Sequence, residues 1–255
     1  MHSRDKSKAS LPPRHGVARV ISKLGLASRT QAAQWVREGR VTVNGRMVFD
    51  PEFPVRIGVD KIEVIGAGSA AHAEAPIQTF RCLLLNKPRG LVTSARDERG
   101  RDTVYRCFDG AGLPWLAPVG RLDKASEGLL LFCNDPVWAA GITDPATGPS
   151  KTYHVQIDRI PDDALLESLR RGVLHEDETL MANSLRVIRA GEKRSWLEIV
   201  LDEGRNRQIR RLLAAFDISV LRLIRVAIGP VQLGKLAKGE WRNLDSAEID
   251  SLTRV

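Results

Sequence analysis

The sequence predicts an α+β protein, in which a small α/β domain precedes a larger one built on a mixed, mainly antiparallel sheet flanked by helices. Three observations carry this expectation. Helical and alternating apolar patterns both occur, but they do not repeat in the βαβα order that a parallel sheet requires. A run of small residues from Gly66 to Ile77, GAGSAAHAEAPI, separates a basic N-terminal portion from the rest. The 255 residues, 43% apolar and 27% charged, have the length and balance of one or two globular domains.

Residues 1–14 are polar and basic, broken by Pro12-Pro13, and read as a flexible tail. Domain boundaries are expected at 15–66, with a linker over 67–78 and a second domain over 79–255. In the first domain Val17, Val20, Ile21 and Leu24 recur at helical spacing, and Gly25 ends that helix. Ser28 and Gln31 form an S-x-x-Q capping box for a second helix, which buries Ala32, Trp35 and Val36 and stops at Gly39. Val41-Thr42-Val43 then runs into an Asn44-Gly45 turn, the pair that tolerates the positive φ of a tight hairpin. Short strands follow near Met47-Val48 and over Lys61–Ile65, with a proline-bearing loop between them.

The second domain alternates short strands (Cys82–Leu85, Leu129–Phe132, Tyr153–Ile157, Trp196–Leu201 and Leu221–Val226) with helices over Asp162–Arg171 and Asn206–Phe216. Polar clusters stand at strand ends: Asn86-Lys87-Pro88-Arg89-Gly90, Gly120-Arg121-Leu122-Asp123, Lys151-Thr152-Tyr153, and Glu203 to Arg211. A rigid sheet holds groups on such loops at fixed mutual positions while leaving them open to substrate. An ionised Asp123 there serves as nucleophile or general base, or only orders its turn.

Composition narrows the function classes. No window approaches the roughly 18 apolar residues of a membrane span, and no apolar run near the start suits a secretory signal, so a cytoplasmic protein is expected. Three widely spaced cysteines and five scattered histidines form no disulfide framework and no metal-ligand cluster, so no metal site is expected from them. The glycines of G-A-G-S-A-A mimic a dinucleotide fingerprint. That motif needs an acidic residue near the end of the next strand, and none occurs between Glu74 and Asp97. The net charge of +8 is uneven: residues 1–66 hold twelve Lys/Arg against six Asp/Glu. Such a local positive patch fits a polyanion, and equally an acidic surface or a solvated face.

The run GRLDKASEGLLLFCND, Gly120 to Asp135, resembles the signature of the ribosomal-RNA pseudouridine synthases that carry an N-terminal S4-type RNA-binding domain. Its companions appear in order. LLLNKPRGLVTS resembles that family's first motif, KTYHVQI its tyrosine-bearing motif and EGRNRQIRRLL its basic motif, while SRTQAAQWVREGRVTVNG resembles the S4-type helix pair and hairpin. The departures are Ser126, where threonine is usual, and Thr143-Asp144, where a histidine often stands.

The resemblance implies isomerisation of specific uridines in bacterial ribosomal RNA to pseudouridine, without cofactor, by a cytoplasmic and monomeric enzyme. It makes Asp123 the nucleophilic or electrostatic carboxylate, Arg210 its ion-pair partner, and Tyr153 the ring stacked on a flipped-out uracil. Arg121 is expected at RNA or pinning its loop, Arg205, Arg207 and Arg211 at the RNA backbone or capping the helix that begins near Asn206, Lys87 and Arg89 at phosphate or within loop structure, and Arg19, Lys23, Arg29, Arg37 and Arg40 on the RNA-docking face of the first domain. The competing class is a non-catalytic RNA-binding or ribosome-assembly protein on the same fold. A pure binder has no use for a carboxylate in an RNA cleft, where it repels phosphate.

Overall fold

The computed structural model describes residues 12–65, 79–95, 97–175 and 178–253. Most of the tail, the linker and its glycine run lie outside the described residues. The chain divides into two compact units, one ending at Thr79 and the other beginning at Phe80.

The first unit contains β1 (Arg14–Gly16), α1 (Val17–Lys23), α2 (Arg29–Arg37), β2 (Val41–Val43), β3 (Arg46–Val48), β4 (Pro54–Arg56) and β5 (Ile62–Val64). Strand β2 is central in a β3-β2-β5 sheet, and β1 pairs with β4. Helices of seven and nine residues are too short to persist on propensity alone. Their apolar stripes hold them: Val17, Val20, Ile21, Ala32 and Val36 are buried with Val41 and Ile62 in one core. Each such aliphatic residue stabilises by about 1.5–3 kcal/mol. The Ser28 hydroxyl accepts from the Gln31 N–H at 3.1 Å, and Asn44 and Gly45 take φ of 50° and 76°, as the capping box and the turn predict. Sequence placed Arg14 in the tail and Pro54 in a loop, whereas Arg14 and Pro54 lie in paired edge strands, where a proline at the first position removes no needed donor.

The second unit contains β6 (Cys82–Lys87), β7 (Ala117–Val119), β8 (Glu127–Cys133), α3 (Pro136–Thr143), β9 (Lys151–Ile157), α4 (Asp163–Arg171), β10 (Val173–His175) and β11 (Glu178–Leu180). It continues with β12 (Ser184–Ala190), β13 (Ser195–Leu201), α5 (Gln208–Ala214), β14 (Val220–Ile228), β15 (Val231–Gln232), β16 (Trp241–Asn243) and α6 (Ser246–Thr253). Its main sheet runs β12-β13-β9-β14-β8-β6-β16, with β7 joined to β8 and β15 to β14. Every pairing of these strands is antiparallel except that of β14 with β8, so the sheet is mixed and mainly antiparallel.

Strands β6 and β8 are buried along their whole length, because alternate residues feed two cores: Leu83, Leu85, Leu130 and Phe132 on one side, Leu84, Leu129 and Leu131 on the other. Strands β9 and β13 alternate between buried and half-buried positions. The continuous apolar run of β8 and the alternation of β9 are the sequence signs of those two environments.

A row across three adjacent strands sets up the site. Gly128 of β8 pairs with Arg225 of β14, and Arg225 pairs with Tyr153 of β9. Only glycine fits at 128: φ is 99°, and a Cβ there would lie 2.3 Å from the Arg225 carbonyl oxygen.

Candidate active site

Asp123 sits in the loop that enters β8, and that loop is fixed through its backbone. The Ser126 N–H donates to the Asp123 carbonyl at 2.9 Å, and the Thr93 hydroxyl donates to the Leu122 carbonyl at 2.7 Å. From the end of β6, the Lys87 ammonium donates to the carbonyls of Ser126 at 2.8 Å, Pro88 at 3.1 Å and Asp123 at 3.2 Å. Lys87 is 0% exposed. It is therefore a latch on the Asp123 loop and not a phosphate contact, since all three of its N–H groups are used inside the protein. Burial pushes its pKa down to about 8, against the opposing pull of Asp123, Cys107 and Glu127.

The Asp123 carboxylate meets a guanidinium at 3.5 Å, that of Arg207. The ion pair expected with Arg210 is not made within 4.0 Å. Arg210 lies in the first turn of α5, where its two Nη groups donate to the carbonyls of Val220 and Ala125 at 3.4 Å each. Its Nε is buried without a partner among the described residues. Burial lowers the Arg210 pKa, and the neighbouring cations Arg207 and Arg89 add to this, while Asp123 opposes it. The carboxylate is thus in contact with Arg207, and Arg210 is near enough to feel its charge without pairing with it.

These groups share one cavity of about 860 Å³. Its lining includes Asp123, Tyr153 and Arg210, together with Arg121, Arg205 and Arg207. Tyr153 is 8% exposed, and its ring lies within the larger apolar core of the second unit. Four further cations line the cavity that sequence reasoning did not single out as site residues: Lys151, Arg225, Arg101 and Lys124. Lys151 stood in a polar cluster at a strand end with no role assigned to it, and Arg225 was legible only as a sheet arginine between Ile224 and Val226.

The remaining expected contacts divide by what already holds them. Arg89 and Arg121 are exposed. Arg211 is outside the cavity lining and donates to Glu178 at 2.8 Å, tying α5 to β11, so an RNA role is not what its geometry serves. Arg205 is partly committed, to Glu203 at 2.8 Å and the Thr179 carbonyl at 3.2 Å. In the first unit Arg19, Arg29 and Arg37 are exposed and Lys23 is half-buried. Arg40 is instead structural: its guanidinium donates twice to the Ile65 carbonyl at 3.1 Å and lies over the Trp35 ring. The expected helix over 206–216 begins at Gln208, because residue 207 is left-handed, with φ of 49°. Among the described residues no three His, Cys, Asp or Glu side chains gather where they could hold a metal ion, and no helix is long and apolar enough to cross a membrane.

Comparison with known proteins supplies the context for this arrangement. Residues 81–215 match the family model for RNA pseudouridylate synthase, and residues 17–60 match that of the S4 domain. A protein of Aquifex aeolicus (strain VF5), named as an uncharacterized RNA pseudouridine synthase, is 36% identical over 94% of both chains. The ribosomal large subunit pseudouridine synthase B of Bacillus subtilis (strain 168) is 34% identical over 92% of this chain and 93% of its own. A solved structure described as a pseudouridylate synthase superposes with a TM-score of 0.62 at 28% identity, covering 95% of this chain and 100% of that one. This chain belongs to the RNA pseudouridine synthase family, as a member with an S4 domain ahead of its catalytic unit.

Proposed function

We propose that this enzyme converts specific uridines of large-subunit ribosomal RNA to pseudouridine in the bacterial cytoplasm, with Asp123 as the nucleophilic or electrostatic carboxylate. The substrate class follows the printed name of the Bacillus subtilis relative. The observation that carries the reading is that Asp123, Tyr153 and Arg210, which come from separate parts of the chain, line one cavity. About 860 Å³ admits a flipped-out nucleotide, and the Tyr153 ring offers a surface on which an extruded base recovers part of its lost stacking.

The cations have separable tasks in this reading. Arg207 contacts the carboxylate and orients it, while Arg210 holds the neighbouring backbone of the Asp123 loop through the Ala125 carbonyl. Arg121 and Arg89, both exposed, meet phosphate near the cavity. The S4 unit docks on structured RNA through Arg19, Arg29 and Arg37, which contributes affinity, while the choice of uridine is made at the cavity. A non-catalytic binding role is disfavoured because such a protein gains nothing from a carboxylate facing the RNA. The deciding experiment maps pseudouridines chemically in ribosomal RNA from cells with and without this protein, and repeats the mapping with Asp123→Asn. Loss of the same modification in both is expected; an unchanged map refutes the assignment.

A further inference from the structure

Two cations on the cavity wall are left unused by the chemistry above. Lys151 opens β9 two residues before Tyr153, so both sit on one face of the strand, and Arg225 is the cross-strand partner of Tyr153 on β14. They are 8% and 5% exposed, and neither has a carboxylate within 4.0 Å among the described residues. A buried charge persists only when it is paired or well hydrogen-bonded. Lys151 donates once, to the Asp202 carbonyl at 3.1 Å. Arg225 donates from Nε to the Leu129 carbonyl at 2.7 Å, and its Nη2 is buried without a partner among the described residues. The two cations feel each other: burial lowers the Lys151 pKa and Arg225 lowers it further, with Asp202 and Asp144 opposing. Ile228, the cross-strand partner of Lys151, lines the cavity with the apolar Val119 and Ile142, so the cavity offers an apolar recess with unspent N–H donors.

Such a recess suits a planar group whose rim accepts hydrogen bonds and carries negative charge. Depth favours a base over a phosphate. The Asp123 and Arg207 side chains are 39% and 52% exposed, so sugar and phosphate meet them nearer the solvent, and the base reaches the buried Tyr153. Arg225, the cross-strand neighbour of Tyr153, stands about 4.5–5.5 Å from it at Cβ, and Lys151 lies two residues along the same strand, about 6–7 Å away, so both flank the rim of a ring stacked on Tyr153.

We propose that Lys151 and Arg225 receive the carbonyl-oxygen edge of the target uracil and hold the negative charge it takes up when its bond to ribose breaks. This rests on the reading of Asp123 and Tyr153 given above. In that step the N1–C1′ bond breaks and its electron pair passes into the uracil ring, spread over O2 and O4, while C1′ is held by the Asp123 carboxylate. The ring turns, C5 supplies the pair for the new C5–C1′ bond, and the carboxylate is released. C5 then loses a proton and N1 gains one, so nothing is oxidised or reduced. The two cations act between the bond changes, when the ring is anionic and preorganised donors matter most.

The test compares Lys151→Met, Arg225→Met and the charge-keeping Lys151→Arg and Arg225→Lys with wild type on a large-subunit ribosomal RNA transcript. Single-turnover rate, Kd and the salt dependence of Kd are read on the same RNA. The Met variants are expected to slow the single turnover by about 10²–10³-fold with Kd and salt slope unchanged, and the charge-keeping variants to recover at least about tenfold of that loss. A weakened Kd whose log–log salt slope falls by about 0.9 per variant assigns the cations to phosphate and overturns the proposal. Turnover within about threefold of wild type in the Met variants also overturns it, leaving a structural role. Arg225→Met forfeits the bond to Leu129; if it does not fold, Lys151→Met decides. A wild-type protein that forms no pseudouridine sinks the functional reading itself, a result distinct from either.

Discussion

Arg207 approaches the Asp123 carboxylate to 3.5 Å from a left-handed backbone position, with φ of 49° and ψ of 29°, at the N-terminal end of α5. A non-glycine residue held there costs about 1–2 kcal/mol, and both partners are partly exposed, so their attraction returns no more than about 1 kcal/mol. The geometry is kept at a net cost in stability. That balance is the mark of a residue placed for the site, and it separates two glycine-like outcomes.

Arg207→Gly and Arg207→Ala both remove the cation, but only glycine relieves the backbone. Arg207→Gly should be more stable than Arg207→Ala by about 1 kcal/mol in urea unfolding, while both lose turnover to the same extent. Equal stabilities would mean that residue 207 is not held left-handed in solution.

Asp123→Asn keeps the shape of the side chain and the hydrogen bonds of the loop, which run through its backbone. Turnover should drop by at least about 10⁴-fold with RNA affinity within about threefold of wild type, measured by pseudouridine mapping and filter binding on the purified variant. Residual turnover above that level removes Asp123 from its role.

Tyr153→Phe tests ring against hydroxyl. The substitution keeps the ring in its buried place, so stability should stay within about 0.5 kcal/mol and RNA affinity should persist. Tyr153→Ala removes the ring and should cost about 3–5 kcal/mol of stability in addition to about 1–3 kcal/mol of stacking on the base. Equal binding losses in the two variants would contradict a stacking role.

Lys87 predicts an alkaline limb. Its pKa falls from the ordinary 10.5 to about 8 in the folded protein. Between those values the unfolded chain binds more protons, so the contribution of this group to stability rises with pH across that window and is smallest below pH 8. Activity moves the other way. Above pH 8 the neutral amine has one N–H fewer for the three carbonyls it holds, and the loop carrying Asp123 loosens. Turnover should therefore decline near pH 8 without a parallel fall in melting temperature. Lys87→Met should lose that limb and be destabilised by about 1–3 kcal/mol at pH 7, having left buried carbonyls unpaired.

In the first unit, Arg19→Gln, Arg29→Gln and Arg37→Gln combined should weaken RNA binding and reduce the log–log salt slope by about 0.7–0.9 per lost phosphate contact. Arg40→Gln should instead lower the melting temperature, because its guanidinium closes on Ile65 and Trp35. Unchanged affinity in the triple variant would refute docking by this face.

Where local physics decides, the sequence was legible. The capping box at Ser28, the Asn44-Gly45 turn, the five strands and the α4 and α5 helices rest on neighbours a few residues apart. Asp123 and Tyr153 were singled out through the resemblance of their motifs to those of the pseudouridine synthases, since position at a strand end alone left Asp123 open as a turn residue. The partners of those residues were not readable. Arg207 and Arg210 differ by three positions, and only the left-handed turn at 207 decides which of them reaches the carboxylate. Lys87, Arg211 and Arg40 look from sequence like any basic residue facing RNA; their burial or their pairing with Glu178 and Ile65 arises from contacts 25 to 39 residues distant. Glu127 likewise gave no sign that it takes both Arg222 and Lys238, which outweigh the upward push of burial on its pKa.

The parallel joint between β8 and β14 also governs when the enzyme becomes competent. Strands running the same way cannot be linked by a hairpin, and here residues 134–219 intervene before β14 arrives. Closing so long a loop costs entropy before the pairing returns it, so this junction is among the last to form. A nascent chain that has already emerged past Asp123 still has no facing guanidinium and no third strand to complete the row. On the reading proposed here, a half-made copy is chemically silent toward the ribosome that is synthesising it.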